Sequence, residues 1–238
     1  MLFPVATIDE RENQSGQLTE WTHQRQQVLE AARSMHRDGL VVGTSGNVSA
    51  RCGPVVNELM AITVSGQDYE HLTQDDIVVV DFDGDSVIGD GIPSTELLMH
   101  VAIYRARPNV GAVVHTHSVH ASALAVAGIP LPPIVDEMVI TLGDSVQVSG
   151  YAFPSSKELG ENVVAALGER NAALIRNHGL VGVGSDADSA LSVCRLVERL
   201  AHVYTVASAM GNAPALQPDV VASELELFRM RQDMEEPL

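Results

Sequence analysis

Gly111-Ala112-Val113-Val114-His115-Thr116-His117-Ser118-Val119-His120 runs an apolar segment straight into a pair of histidines. Ala112 to Val114 predicts a buried strand. Side chains alternate across a strand, so His115 and His117 share one face, with Cα atoms about 6.5 Å apart. Two imidazoles at that spacing can converge on one metal ion. His-x-His pairs are also common on ordinary surfaces, so the reading turns on what the rest of the chain supplies. Glu96 and His178 supply it.

His178 lies in Ala172-Ala-Leu-Ile-Arg-Asn-His-Gly-Leu-Val-Gly-Val-Gly184, two apolar strands about a turn at Asn177-His178-Gly179. A histidine at such a turn is usually structural. Beside His115 and His117 it becomes the third ligand of a catalytic zinc site, with one position open for water or substrate. Upstream, Pro93-Ser-Thr-Glu96 opens a helix that ends at Pro108. Ser94 or Thr95 stands near its N-cap, where free N–H groups and the dipole also favour an anion. Glu96 falls in the first turn, where a carboxylate is stabilised in any helix. Its functional reading depends on the histidines. His100, one turn on, reads as a packing or hydrogen-bonding residue.

Two loops of small residues precede that helix. Gly43-Thr-Ser-Gly-Asn-Val-Ser-Ala-Arg51 breaks into an alternating strand with Val48 inward and Ser49 outward, and Asn47 offers an amide donor. Ala61-Ile-Thr-Val-Ser-Gly66 is a strand ending in a hydroxyl and a glycine. Thr73 to Asp76 reads as a turn, Ile77 to Phe82 as a strand, and Asp83-Gly84 as a hairpin signal. Short strands on tight turns imply a largely antiparallel sheet.

The remaining chain is helical or connecting. A helix runs from Thr19 to a stop at Gly39, with Trp21, Val28, Ala32 and Met35 as core positions. Ser118 to Ala127 is a helix closed by Gly128, with His120 in its first turn and off the strand's direction. Asp136 and Glu137 precede the apolar helix Met138 to Leu142. Paired carboxylates can do acid/base work, though more often they begin a solvated helix. Val146 to Phe153 alternates like a strand, and Ser155 or Ser156 caps a helix ending near Gly168. A long helix covers Asp186 to Met210, and a last amphipathic one Val220 to Met234.

The chain has 238 residues, 45% of them hydrophobic, and a formal charge of -17. That length can bury a sizeable core. The acidity argues against nucleic acid and against an anionic membrane surface as partners. Cys52 and Cys194 stand in no pattern, which fits free thiols in a reducing cytoplasm. No signal peptide and no membrane-spanning apolar run is legible.

The order and spacing of Thr44-Ser-Gly-Asn-Val-Ser49, Ile62-Thr-Val-Ser-Gly66, Pro93-Ser-Thr-Glu96, Val114-His-Thr-His117 and Asn177-His-Gly179 resemble the class II aldolase/adducin-head family. The resemblance covers about Gln26 to Met210. It implies an α/β fold: one domain with a mostly antiparallel central sheet flanked by helices, in a homotetramer with active sites at subunit interfaces. The expected division is a flexible tail over 1–18, the aldolase-like domain over 19–212, and a linker with a C-terminal helix over 213–238.

By position, the resemblance implies that His115, His117 and His178 bind one Zn2+ per subunit, with Mn2+ or Co2+ as alternatives. Glu96 is the implied acid/base and ligates the metal when substrate is absent. Asn47, Ser65, Gly66, Ser94 and Thr95 are the implied cradle of a substrate phosphate. The implied reaction is reversible aldol cleavage of a small phosphorylated sugar, with zinc stabilising an enediolate as a Lewis acid. Lys157 is the chain's sole lysine, which tells against a Schiff-base aldolase. Two positions depart from the family's pattern. Asp136-Glu137 stands where it has a tyrosine, and Glu224 to Leu238 contains no tyrosine. Glu137 or Asp136 is therefore the expected second acid/base. Sister metal reactions, namely decarboxylation, pentulose-phosphate 4-epimerisation and dehydration, remain alternatives. A non-enzymatic assembly module would predict a broken metal site, and here all four ligands are present.

Overall fold

A computed structural model describes residues 8–235. Its centre is β5 (Ala112–Thr116), whose residues are all buried. One edge of β5 pairs with β1 (Asn47–Cys52) and the other with β8 (Gly179–Gly184), both antiparallel. Outward from β1 lie β2 (Leu59–Ile62), β3 (Val78–Asp81) and β4 (Ser86–Ile88); outward from β8 lie β7 (Ala172–Ile175) and β6 (Gln147–Val148). Of the eight strands in this sheet, only β6 and β7 run parallel. The expected α/β architecture, a mostly antiparallel sheet between helices, is what the chain adopts.

α1 (Ile8–Arg37) and α6 (Ala187–Ala209) cover one face, with α3 (Val119–Ala127) packed on α6 and on β7 and β8. On the other face α2 (Leu97–Ala106) packs along α5 (Lys157–Leu167), which covers β6 and β7. α4 (Asp136–Leu142) and α7 (Pro218–Glu235) pack on each other beside α6. Trp21, Val28, Ala32 and Met35 are buried, as their helical spacing requires.

Four details differ from the expectations. α1 begins at Ile8, inside the stretch read as a tail, because Glu, Arg and Gln are good helix formers and no proline interrupts them. Residues 1–7 lie outside the described residues. Ser49 is fully buried rather than outward, because β1 is a central strand with helices on both faces. Glu96 is the N-cap residue of α2 rather than a first-turn residue, and no side chain caps that end. The alternation of Val146 to Phe153 becomes only a two-residue ladder, after which the chain leaves the sheet with Tyr151 and Phe153 exposed.

Candidate metal centre and hydroxyl-lined cavity

The β1–β5 register sets Asn47 opposite His115. Residues opposite one another across a ladder share a face, so Asn47, Ser49 and His115 point toward α2, while Val48 and Val114 point toward α1 and α6. β5 ends just past His115, and the next residues carry His117 beside it. His178 arrives from the far side, on the β7–β8 turn. That turn is tight: His178 N–H donates to Ile175 O at 3.0 Å, and Asn177 takes φ +55°. Asparagine tolerates this left-handed conformation better than most residues. Gly179 follows because the backbone there touches the site. A Cβ at Gly179 would strike Thr116 O and come within 3.1 Å of His117 Cδ2 and 3.2 Å of His115 Cε1.

The three imidazoles form a near-symmetric propeller. Their ring centroids are 4.8, 4.8 and 4.9 Å apart, and the planes cross at 70–73°. One nitrogen from each lies within 4.8 Å of the others. His115 Nε2 and His117 Nε2 are 2.9 Å apart. Glu96 reaches in from the start of α2, with Oε2 3.1 Å from His115 Nε2 and Oε1 3.3 Å from His178 Nε2. Despite that proximity, Oε1 is buried and receives no hydrogen bond. A buried carboxylate oxygen without a donor, facing converging imidazole nitrogens, is the donor set a divalent cation completes.

The electrostatics agree. Burial pushes His117 down to about 4, helped by His115 and His178. Burial and His115 also lower His178. Neutral imidazoles have lone pairs to give a metal. Burial alone would raise Glu96, but His115, His178 and the Asn47 amide reverse that and hold it below the usual carboxylate range.

His117, His178 and Glu96 open onto a cavity of about 220 Å³. Thr44, Ser45, Gly46, Asn47, Ser65, Gly66, Ser94 and Thr95 complete its polar wall with Pro154 and Ser155. All five residues expected to cradle a phosphate are therefore in the wall. Among the described residues, nothing pairs with the hydroxyls of Thr44, Ser65 and Thr95. Asn47 is different: its Nδ2 donates to Glu96 Oε2 at 3.0 Å. Ser155 has φ +65° and joins the wall through a loop whose role the sequence did not signal.

Asp136 and Glu137 open α4 and do not line this cavity within the chain; Glu137 pairs with Arg199 of α6. His120 is not drawn to the site either. Its Nδ1 lies 2.9 Å from Glu198 Oε1, and its ring stacks on His202. Lys157 is exposed and paired with Glu161.

The family model for the Class II Aldolase and Adducin N-terminal domain matches residues 26–205. An L-fuculose phosphate aldolase of Escherichia coli is 36% identical over 204 residues, 85% of this chain and 93% of that protein. A 5-methylthioribulose-1-phosphate/5-deoxyribulose-1-phosphate aldolase of Rhodospirillum rubrum is 33% identical over 205 residues, 86% of this chain and 90% of that protein. Among solved structures, an L-fuculose 1-phosphate aldolase superposes with a TM-score of 0.81 at 32% identity, covering 87% of this chain and 96% of that one.

Proposed function

The chain belongs to the class II aldolase and adducin N-terminal domain family and is an aldehyde-lyase, and from that premise we propose that it reversibly cleaves a ketose 1-phosphate, with L-fuculose 1-phosphate the first substrate to try. One observation carries the reading: three converging imidazoles and a donor-free carboxylate oxygen stand together at a cavity that His117, His178 and Glu96 border and whose wall holds the unpaired hydroxyls of Thr44, Ser65 and Thr95.

His115, His117, His178 and Glu96 would hold the metal, zinc in our reading with manganese or cobalt as alternatives. When bound, such a cation supplies Lewis-acid polarisation of the substrate carbonyl. The protein's own groups do the rest. Ser65, Gly66, Ser94 and Thr95, with Thr44 and Gly46, receive the phosphate through hydroxyls and backbone N–H groups, a mode that needs no basic side chain. Glu96 is held ionised, so it is ready as a base. In condensation it takes the proton from the carbon alpha to the carbonyl of dihydroxyacetone phosphate; in cleavage it returns a proton to the same carbon. Lys157, exposed and ion-paired, is unsuited to a Schiff base.

Glu137 is engaged by Arg199, so Asp136 or Glu137 could act as the aldehyde-side donor only on the cavity of a second copy. We infer a homotetramer. Val119 of α3, Val203 and Val206 of the adjacent α6, and Met210 just past its end are exposed and support assembly.

The test is a coupled assay of dihydroxyacetone phosphate release from L-fuculose 1-phosphate, before and after chelation. Release that chelator removes and zinc restores supports the reading. No release by the metal-loaded protein from L-fuculose, 5-deoxyribulose or 5-methylthioribulose 1-phosphate would sink it. Carbon dioxide release or inversion at C4 would then identify a sister reaction.

A further inference from the structure

Glu96 ends a buried hydrogen-bond chain that the reaction scheme above leaves unused. Its Oε2 accepts from Asn47 Nδ2 at 3.0 Å. Asn47 Oδ1 lies 2.5 Å from His100 Nε2. His100 Nδ1 lies 2.6 Å from Ser49 Oγ, and Ser49 Oγ lies 2.9 Å from Tyr104 OH. Asn47 is 3% exposed, Ser49 and His100 0%, Tyr104 1%. The members alternate between β1 and α2, so the chain ties the strand that faces His115 to the helix that carries Glu96.

Only one direction of donation satisfies every group. Glu96 is an ionised acceptor, so Asn47 must present its NH2, which leaves Oδ1 on the His100 side. His100 must then donate from Nε2. Its Nδ1 is the acceptor for the Ser49 hydroxyl, and Ser49 in turn accepts from Tyr104. Burial, aided by His115, pushes His100 down to about 3, which keeps it in this neutral form. The opposite tautomer would let the Asn47 amide flip and set a carbonyl oxygen against the carboxylate. Met99, Val101 and Ile103 of α2 are buried as well.

We propose that Tyr104, Ser49, His100 and Asn47 are positioning residues for Glu96: they clamp Oε2 from the protein side and leave Oε1 as the oxygen available to the cation and to the substrate proton. His100 is the residue that sets the orientation. The inference rests on the reading of Glu96 as metal ligand and acid/base. It gives Asn47 a job distinct from anion binding, and no group in the chain changes charge.

The test compares His100→Leu with His100→Gln. Glutamine places an amide nitrogen near the position of Nε2 and keeps the donor; leucine leaves Asn47 free to flip. Two readouts are taken: kcat and KM on a ketose 1-phosphate, and zinc affinity by competition with a chromophoric chelator. For His100→Leu the expectation is a loss of about 10- to 100-fold in kcat and in zinc affinity, with KM nearly unchanged. His100→Gln should recover most of both. Equal losses in the two variants would mean a purely structural role and overturn the proposal. So would a raised KM with kcat intact, which would assign Asn47 to the substrate anion. Should His100→Leu fail to fold, Ser49→Ala takes its place, and unchanged kcat and zinc affinity there overturn the proposal. If the unaltered protein cleaves no ketose 1-phosphate, it is the reading of the reaction that fails, and chelator competition alone decides the positioning.

Discussion

His115 donates its Nδ1–H to the carbonyl oxygen of Leu180 at 2.9 Å, across the junction of β5 and β8. A carbonyl only accepts, so this bond sets the tautomer and turns the Nε2 lone pair toward His117 and Glu96. The ring is thus oriented by the backbone of the strand that starts just after His178.

A cation bound to such a preset site stabilises the fold that holds it. Thermal melting with and without a strong chelator should show a lower Tm for the stripped protein. The gain at a thousandfold excess over Kd is about 4 kcal/mol. Activity should vanish with the metal and return with zinc, manganese or cobalt. A chelated protein that melts and works like the untreated one would remove the metal centre.

Glu96→Gln keeps the shape at the head of α2 and removes the proposed base. kcat should fall by about 10²- to 10⁴-fold. Exchange of the alpha proton of dihydroxyacetone phosphate with deuterated solvent, followed by NMR, should be lost with it. Exchange at the original rate would place the proton on another residue.

Gly179→Ala should damage stability and metal binding together. Its methyl meets Thr116 O, which is backbone, and presses on the rings of His115 and His117. Overpacking of this kind costs about 1–3 kcal/mol. Zinc affinity and Tm should both drop. An alanine variant with full zinc affinity would show that the β7–β8 turn shifts freely.

Ser65→Ala and Thr95→Ala remove hydroxyls that face the cavity. Each should raise KM for the phosphorylated substrate roughly tenfold, the effect of a lost hydrogen bond to a charged group of about 1.5 kcal/mol. kcat should change little. An unchanged KM in both variants would move the phosphate elsewhere.

Glu198 of α6 caps α3 from outside, accepting from His120 N–H at 3.0 Å and Ala121 N–H at 2.9 Å. Burial would raise its carboxyl, but these N–H groups and the His120 ring hold it below the usual range. A carboxyl depressed in the fold contributes stability that is present above its unfolded value of about 4.3. That stability is lost as pH falls through the lower folded value. Glu198→Gln should therefore melt earlier than the unaltered protein at pH 7, by about 1 kcal/mol as for other lost caps. The difference should begin to shrink as pH falls past about 4.3 and close only below the depressed folded value. A gap that persists into strong acid would mean that the charge is not what caps α3.

The local pieces of the site were legible because they follow from short-range rules. Alternation along β5 put His115 and His117 on one face, and the Asn177-His178-Gly179 turn could be read from residues that tolerate left-handed backbone. Composition argued against partners that need basic patches. Ser49 was misread for the same reason: a serine alternating with valine reads as solvent-facing. Only the assembled sheet shows that β1 is central, with a buried acceptor and donor waiting on α2. Asn47 likewise reads as a free donor in the sequence, and its partners Glu96 and His100 lie on an element that sequence spacing does not aim.

What the amino-acid sequence by itself determined was therefore most of the elements, the three histidines that the structure brings together and the small-residue walls of the cavity. All of these are written in spacings of a few residues. What only the tertiary structure decided was which oxygen of Glu96 is held and which is free. It also decided that Asp136 and Glu137 stand away from the cavity in their own chain. Such facts depend on strand register and on helix packing across the sheet. Both are settled by burying two faces at once, a condition no local pattern contains.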